Sequence, residues 1–153
     1  MASCSTAYPP AGSEASKADT ARRLSISLVV PVYNEEHGIA DFEDGIRPVL
    51  DALPGYDFEV VCIDDGSSDG TLAGLQATAA RDPRYMVIGL SRNFGKEAAL
   101  TAGIDHATGD AVIPMDADLQ DPPDLIPQLI ARWRAKERKS CSHSAATVLP
   151  TAT

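Results

Sequence analysis

The sequence predicts an α/β fold built on a mainly parallel sheet of about four strands, and three observations carry that expectation. Short apolar runs rich in Ile and Val alternate with segments whose apolar residues recur every three or four positions. The alternation repeats four times between residue 25 and about residue 135, as parallel strands joined by right-handed helical crossovers require. The unusual polar clusters all follow the apolar runs directly, and an open parallel sheet binds its ligands at those carboxyl ends.

The first run, ISLVVPVY, reads as a strand covered on both faces. Ile39, Phe42, Ile46, Val49, Leu50 and Leu53 then form one stripe of a helix that ends near Pro54-Gly55. FEVVCID is the second strand, and Ser68 or Asp69 caps a helix carrying Leu72, Leu75 and Ala79 that stops near Asp82-Pro83. YMVIGL is the third strand. The Gly95 to Ala107 segment is a helix of small residues suited to close packing on a sheet, with Gly109 just beyond it. AVIPM is the fourth strand, and Asp121 and Pro122 open a last helix with Leu125, Ile126, Leu129, Ile130 and Trp133 as its apolar stripe.

The flanks differ from this middle. Residues 1–24 are rich in Ala, Ser, Pro and Gly without periodicity, the composition of a disordered leader. After Trp133 the sequence turns basic and then Ser/Thr/Ala-rich, so residues 136–153 read as an irregular tail in place of an expected fifth strand. A truncated product or a change of reading frame around Lys136 to Ser140 is the expectation there.

Composition excludes several function classes. The 13 basic and 22 acidic residues give a net charge of -9, which opposes nucleic-acid binding and favours cations as ligands. The three cysteines, Cys4, Cys62 and Cys141, have no CxxC spacing, so neither a disulfide framework nor a zinc site is indicated and a reducing, cytoplasmic location fits. No stretch approaches the roughly 18 apolar residues of a membrane span. His37, His106 and His143 share no ligand-like spacing, Cys62 sits in a strand run as a core residue, and Trp133 completes a helical stripe.

The strand-end clusters carry the chemistry. Asp116 and Asp118 stand at i and i+2 where a strand gives way to a loop, and Ala117 keeps the backbone close, so both carboxylates can reach one hard cation, Mg2+ or Mn2+, with Gln120 adding a neutral oxygen. Asp64 and Asp65 precede Gly66, which permits a sharp turn, and offer acceptors to base or ribose groups. Pro31, Tyr33 and Glu35 supply a wall for a base and an acceptor for a ribose, while Arg92 and Lys96 are the cations of the set, suited to phosphate or sugar. Each cluster also has a plainer reading as a capping turn, a solvated loop or a surface charge.

Taken together and in order, VVPVYNEE, IDDGSSDGT, SRNFGKEAALTAGIDHATGD and MDADLQDPPDLIP resemble the family 2 glycosyltransferases. The last two look especially like the branch that loads a sugar onto a polyprenyl phosphate, as in dolichyl-phosphate mannose synthase and the undecaprenyl-phosphate glycosyltransferases. The resemblance spans residues 25 to 134, the front half of a typical catalytic domain. It implies the Rossmann-like A-type glycosyltransferase fold and inverting transfer from a nucleoside-diphosphate sugar. It places Pro31, Tyr33, Glu35 and Asp65 on the nucleoside with Asp64 beside them, Arg92 and Lys96 near the donor phosphates, and Asp116, Asp118 and Gln120 on the divalent ion. It further implies that Ala117 lies against the donor and that Asp118 is the catalytic position. A lipid phosphate is ionised near neutral pH, so no strong general base is needed and none is visible. Relatives continue into acceptor-binding strands, amphipathic helices and often membrane spans; the acceptor site is expected to lie largely outside this chain, with peripheral contact at the cytoplasmic face of a membrane in a full-length form. Two other readings compete: a donor-binding fragment without transfer, and a haloacid dehalogenase-like phosphohydrolase, in which Asp-x-Asp opens the domain instead of closing it.

Overall fold

The computed structural model describes residues 22–139 and 147–148, so residues 1–21 of the leader expected over 1–24 and most of the expected tail lie outside the described residues, while Leu24 already belongs to the first strand. The elements run β1 (Leu24–Val32), α1 (Ile39–Asp51), β2 (Tyr56–Asp64), α2 (Thr71–Arg81), β3 (Tyr85–Gly89), α3 (Lys96–His106), β4 (Ala111–Pro114), α4 (Leu125–Lys139) and β5 (Thr147–Val148). All strands pair in parallel in the order β3-β2-β1-β4-β5. β1 lies at the centre, and every residue from Ile26 to Val30 is fully buried. A strand covered on both faces has no solvent side to mark with polar residues, which is why its sequence shows no alternation.

The two faces are unequally covered. On one, Leu28 and Val30 of β1 and Cys62 of β2 meet Ile46 of α1, Leu75 of α2 and Trp133 of α4. On the other, Val29, Val61, Ile63 and Val112 meet Ala99 of α3. Chain order explains α3: it carries the chain back from β3, past β2 and β1, to β4, and a right-handed crossover in that direction runs over the opposite face. Its small residues let it sit close, since a Cβ on Gly103 would come within 2.4 Å of both Ile63 Cδ1 and Val29 Cγ1.

Three details differ from the sequence reading. The last helix starts at Leu125 instead of Pro122, after turn bonds from Leu125 N–H to the Pro122 carbonyl (2.9 Å) and from Ile126 N–H to that of Pro123 (3.0 Å). Pro127 sets this boundary: with no N–H it fits the first turn, where no partner is required, and would break a helix begun three residues earlier. At the other end α4 continues past residue 135 to Lys139, and Thr147–Val148 pair with Ala111–Val112, so the segment expected to be irregular holds another helical turn and a short strand. Since α4 shares a face with α1 while β5 lies on the opposite flank of β1, that link departs from the right-handed rule. The N-cap of α2 is Gly70, and Asp69 acts one place upstream by accepting a bond from Thr71 N–H at 3.0 Å.

One structural group is invisible in the apolar pattern. Glu43 is 4% exposed, and its carboxylate binds Arg47, Arg81 (3.0 Å) and the Thr78 hydroxyl (3.1 Å), tying α1 to α2. A buried carboxylate is tolerated when its oxygens are matched in this way.

Cys62 is fully buried, and burial pushes its thiol up from 9.0 to about 12. The unfolded chain therefore ionises first: stability held by the neutral thiol is full below about pH 9 and is lost as the pH rises through about 12. In a chain with Cys4 and Cys141 changed to Ser, a thiol reagent at pH 8 is expected to modify native Cys62 more than about a hundredfold slower than Cys62 in urea. Comparable rates would place the thiol at the surface.

Candidate active site

β1 has β2 on one side and β4 on the other, so the chain's connections diverge at its carboxyl end, the place where open α/β sheets form a crevice. A pocket of about 270 Å³ opens there. It is lined by Pro31, Val32, Tyr33 and Glu35 after β1, Asp65 after β2, Asn93, Gly95 and Lys96 after β3, and Asp116, Ala117 and Asp118 after β4.

Side chains that bond to backbone fix the first two loops to each other. Asn34 sits at φ 50, a left-handed conformation that Asn tolerates. Its N–H donates to the Ser67 hydroxyl and its side-chain oxygen accepts from Ser68 N–H, both at 2.9 Å. Next to it, Glu35 N–H donates to the Thr71 hydroxyl (2.9 Å), and the Glu36 carboxylate accepts from Gly70 N–H (2.6 Å). Much of NEE and SSDGT therefore serves as a latch that leaves Tyr33 and Glu35 facing the pocket.

Asp65 does the same for the third loop. It is 3% exposed and accepts from Phe94 N–H at 2.8 Å and Gly95 N–H at 3.0 Å, one on each oxygen. Gly66, at φ 69, passes so close that a Cβ would lie 2.3 Å from the Arg92 carbonyl carbon. The turn this imposes brings Asn93, Gly95 and Lys96 into the pocket and leaves Arg92 outside its lining, its guanidinium 4.6 Å from the centre of the half-exposed Phe94 ring. Asn93 was not singled out in the sequence, where the charges on either side of it are the stronger signal.

Asp64 points to the other face of β2 and does not line the pocket. It is 2% exposed; Oδ2 accepts from Ser67 N–H at 3.3 Å, and Oδ1 has no partner among the described residues.

The fourth loop is anchored from both ends. Met115 is buried and its N–H donates to the Val29 carbonyl at 3.0 Å, extending the sheet up to Asp116. Leu119, at φ 56, turns inward onto α1, where Gly45 has no side chain and a Cβ would stand 3.0 Å from Leu119 Cδ1. Between these anchors Asp116 and Asp118 reach the pocket, and Asp118 Oδ1 accepts from Gln120 N–H at 3.1 Å. The Gln120 side chain lines an adjoining cavity of about 320 Å³ with Lys96, Asp116 and Asp121.

Among the described residues no three His, Cys, Asp or Glu side chains form a metal cluster. Asp116 does hold a cation, the Lys96 ammonium, with Nζ 2.6 Å from Oδ1. One or two carboxylates suffice for a hard divalent ion that takes its remaining ligands from water and phosphate, so Asp116 and Asp118 fit such an ion as a minority of its ligands.

Residues 27–144 match the Glycosyl transferase family 2, and the chain belongs to that family. Its sheet and helices form the A-type glycosyltransferase fold. Among curated relatives, it is 52% identical over 112 residues to a prophage bactoprenol glucosyl transferase homolog of Escherichia coli K12, covering 73% of this chain and 36% of that protein. An uncharacterized glycosyltransferase of Synechocystis is 47% identical over 111 residues, with coverage of 72% and 35%. The chain thus spans about a third of the length of these relatives. Among solved structures, a mannosyltransferase from Pyrobaculum calidifontis in complex with GDP-Man and Mn2+ superposes with a TM-score of 0.58 at 29% identity, covering 72% of this chain and 32% of that one. Glucosyl-3-phosphoglycerate synthase from Mycobacterium tuberculosis, in complex with Mn2+, UDP and glucosyl-3-phosphoglycerate, gives 0.57 at 27% identity, covering 84% and 46%. Family membership sets the phosphohydrolase reading aside.

Asp65→Ala strands two backbone donors and is expected to lower unfolding stability by about 3 kcal/mol. Arg92→Ala, which removes an exposed cation–π contact, is expected to cost less than about 1 kcal/mol. Urea denaturation of the two variants decides; equal losses would contradict the structural role given to Asp65.

Proposed function

We propose that this chain supplies the donor site of a sugar transferase that moves a sugar, with inversion, from a nucleoside-diphosphate sugar to a polyprenyl phosphate. The observation that carries the reading is the convergence of eight expected residues, from four separate strand ends, on one pocket at the switch point. The relatives named as bactoprenol glucosyl transferases support the lipid acceptor, and the neighbours solved with GDP-Man, UDP and Mn2+ support the donor class and a divalent ion. The chain spans 36% of the length of those relatives, so the donor site is tested by binding.

In this reading Pro31, Val32 and Tyr33 form the wall against the base. Glu35 accepts from the ribose, and Asp65 offers the second lone pair of each oxygen besides the ones its backbone donors occupy. Asp64 acts from behind, holding the Ser67 turn. Asp116 and Asp118 hold Mg2+ or Mn2+ on the diphosphate beside Ala117, with Gln120 approaching from the adjoining cavity. The ion, when bound, neutralises charge that grows on the departing diphosphate. Lys96 adds a positive charge at the same place, whereas Arg92 lies over Phe94 and serves the phosphates only by turning inward. A phosphate oxygen of the acceptor attacks the anomeric carbon on the side opposite the diphosphate, the carbon–oxygen bond to the diphosphate breaks, and the configuration inverts. The attacking oxygen is already ionised, so no side chain has to remove a proton.

Such an acceptor resides in a bilayer, and the reading places the site at the cytoplasmic face through peripheral contact. No described helix is long and apolar enough to cross a membrane.

Calorimetric titration with a panel of nucleoside diphosphates, with and without Mn2+, tests the donor site. One of them is expected to bind in a metal-dependent way, and Asp118→Ala is expected to weaken it about tenfold. A folded sample that binds none of the panel would sink the donor-site reading.

A further inference from the structure

Lys96 stands where three features of the pocket meet. It is the first residue of α3, directly after Gly95, which turns the chain at φ 100. Its ammonium is 2.6 Å from Asp116 Oδ1, yet its side chain is 64% exposed, so the contact is held by charge and not by packing. Among the described residues lining the pocket it is the one basic side chain, opposite the four carboxylates of Glu35, Asp65, Asp116 and Asp118. It also lines the adjoining cavity with Gln120 and Asp121, so it has room to move without unfolding anything.

From this geometry we infer that Lys96 is the resident counter-ion of Asp116 and biases the order of loading, yielding the carboxylate to a divalent ion more readily when a nucleoside diphosphate offers the ammonium a new partner. The inference rests on the donor-site reading and deepens it. A divalent ion entering first has to displace Lys96 and then lie beside the displaced ammonium. A diphosphate entering first pairs with Lys96, frees Asp116, and brings oxygens that complete an ion's shell. The two ligands are thereby coupled through one side chain, and coupling of this kind is reciprocal: the ion tightens the nucleotide by the factor by which the nucleotide tightens the ion.

The test is Mn2+ binding, read from the spin-resonance signal of the free ion, for the unaltered chain, Lys96→Met and Lys96→Arg, each with and without the nucleoside diphosphate that binds best. Without nucleotide, Lys96→Met is expected to bind Mn2+ about three- to fivefold more tightly than the unaltered chain, the factor an exposed ion pair is worth. Lys96→Arg keeps the cation and is expected to stay near the unaltered value. With nucleotide, the gain in Mn2+ affinity is expected to shrink in Lys96→Met. Circular dichroism establishes that the variants are folded, as the exposure of residue 96 leads one to expect. Mn2+ affinity that is unchanged or weaker in folded Lys96→Met, without nucleotide, overturns the inference. If no nucleoside diphosphate binds any of the three chains, the donor reading and the coupling both fall, even where the Mn2+ shift without nucleotide is present.

Discussion

The carboxylate of Asp65 joins the carboxyl end of β2 to the loop after β3 through two backbone N–H groups, and the geometry of the pocket follows from that pair of bonds. Losing the donors to a carboxylate this buried is costly, so the loop has little freedom to adopt another turn. Given this turn, Gly95 delivers the start of α3 at the mouth of the pocket, and Lys96 reaches Asp116. Gly66 belongs to the same constraint, because any side chain there would collide with the Arg92 backbone. The loop after β1 is latched to the other side of the β2 loop, through Asn34 and Ser67. The β2 loop thus acts as the keystone between its two neighbours.

How these loops come together is a consequence of chain order. β1 pairs with β2 and β4; α1 carries the chain from β1 to β2 on one face, and α3 brings it to β4 on the other. α3 crosses the sheet on its own face, with Gly103 allowing contact at backbone distance. Its start and the end of β4 are thereby placed on the same edge. That is how residues separated by 85 positions, Pro31 and Asp116, line a single pocket.

Much of this was legible in the sequence. Apolar runs such as LVV and VVCI mark strands covered on both faces, and residues of marked chemistry directly after them mark the site. What stayed hidden depended on direction more than on residue type. Asp65 and Asp64 are adjacent and identical, but strand alternation sends one toward the pocket and the other behind it. Arg92 has the more conspicuous charge, yet the turn fixed by Asp65 gives the pocket to Asn93. Glu43 looks like a surface residue of α1 until Arg47, Arg81 and Thr78 are seen to close over it. The start of α4 was decided by Pro127, inside the helix, and not by Asp121 and Pro122 before it.

Membership of the Glycosyl transferase family 2 agrees with this architecture, and the structure separates the motif residues that line the pocket from those that hold the loops in place. In the proposed function the four strand ends act as one binding edge. Amide chemical-shift mapping by NMR during titration with a nucleoside diphosphate and Mg2+ tests it most directly. Perturbed amides are expected at residues 32–36, 65–67, 93–96 and 116–120, with the amino-terminal edge of the sheet around Glu59, Thr108 and Asp110 unmoved. Perturbations centred on that amino-terminal edge, or confined to only one of the four loops, would contradict it.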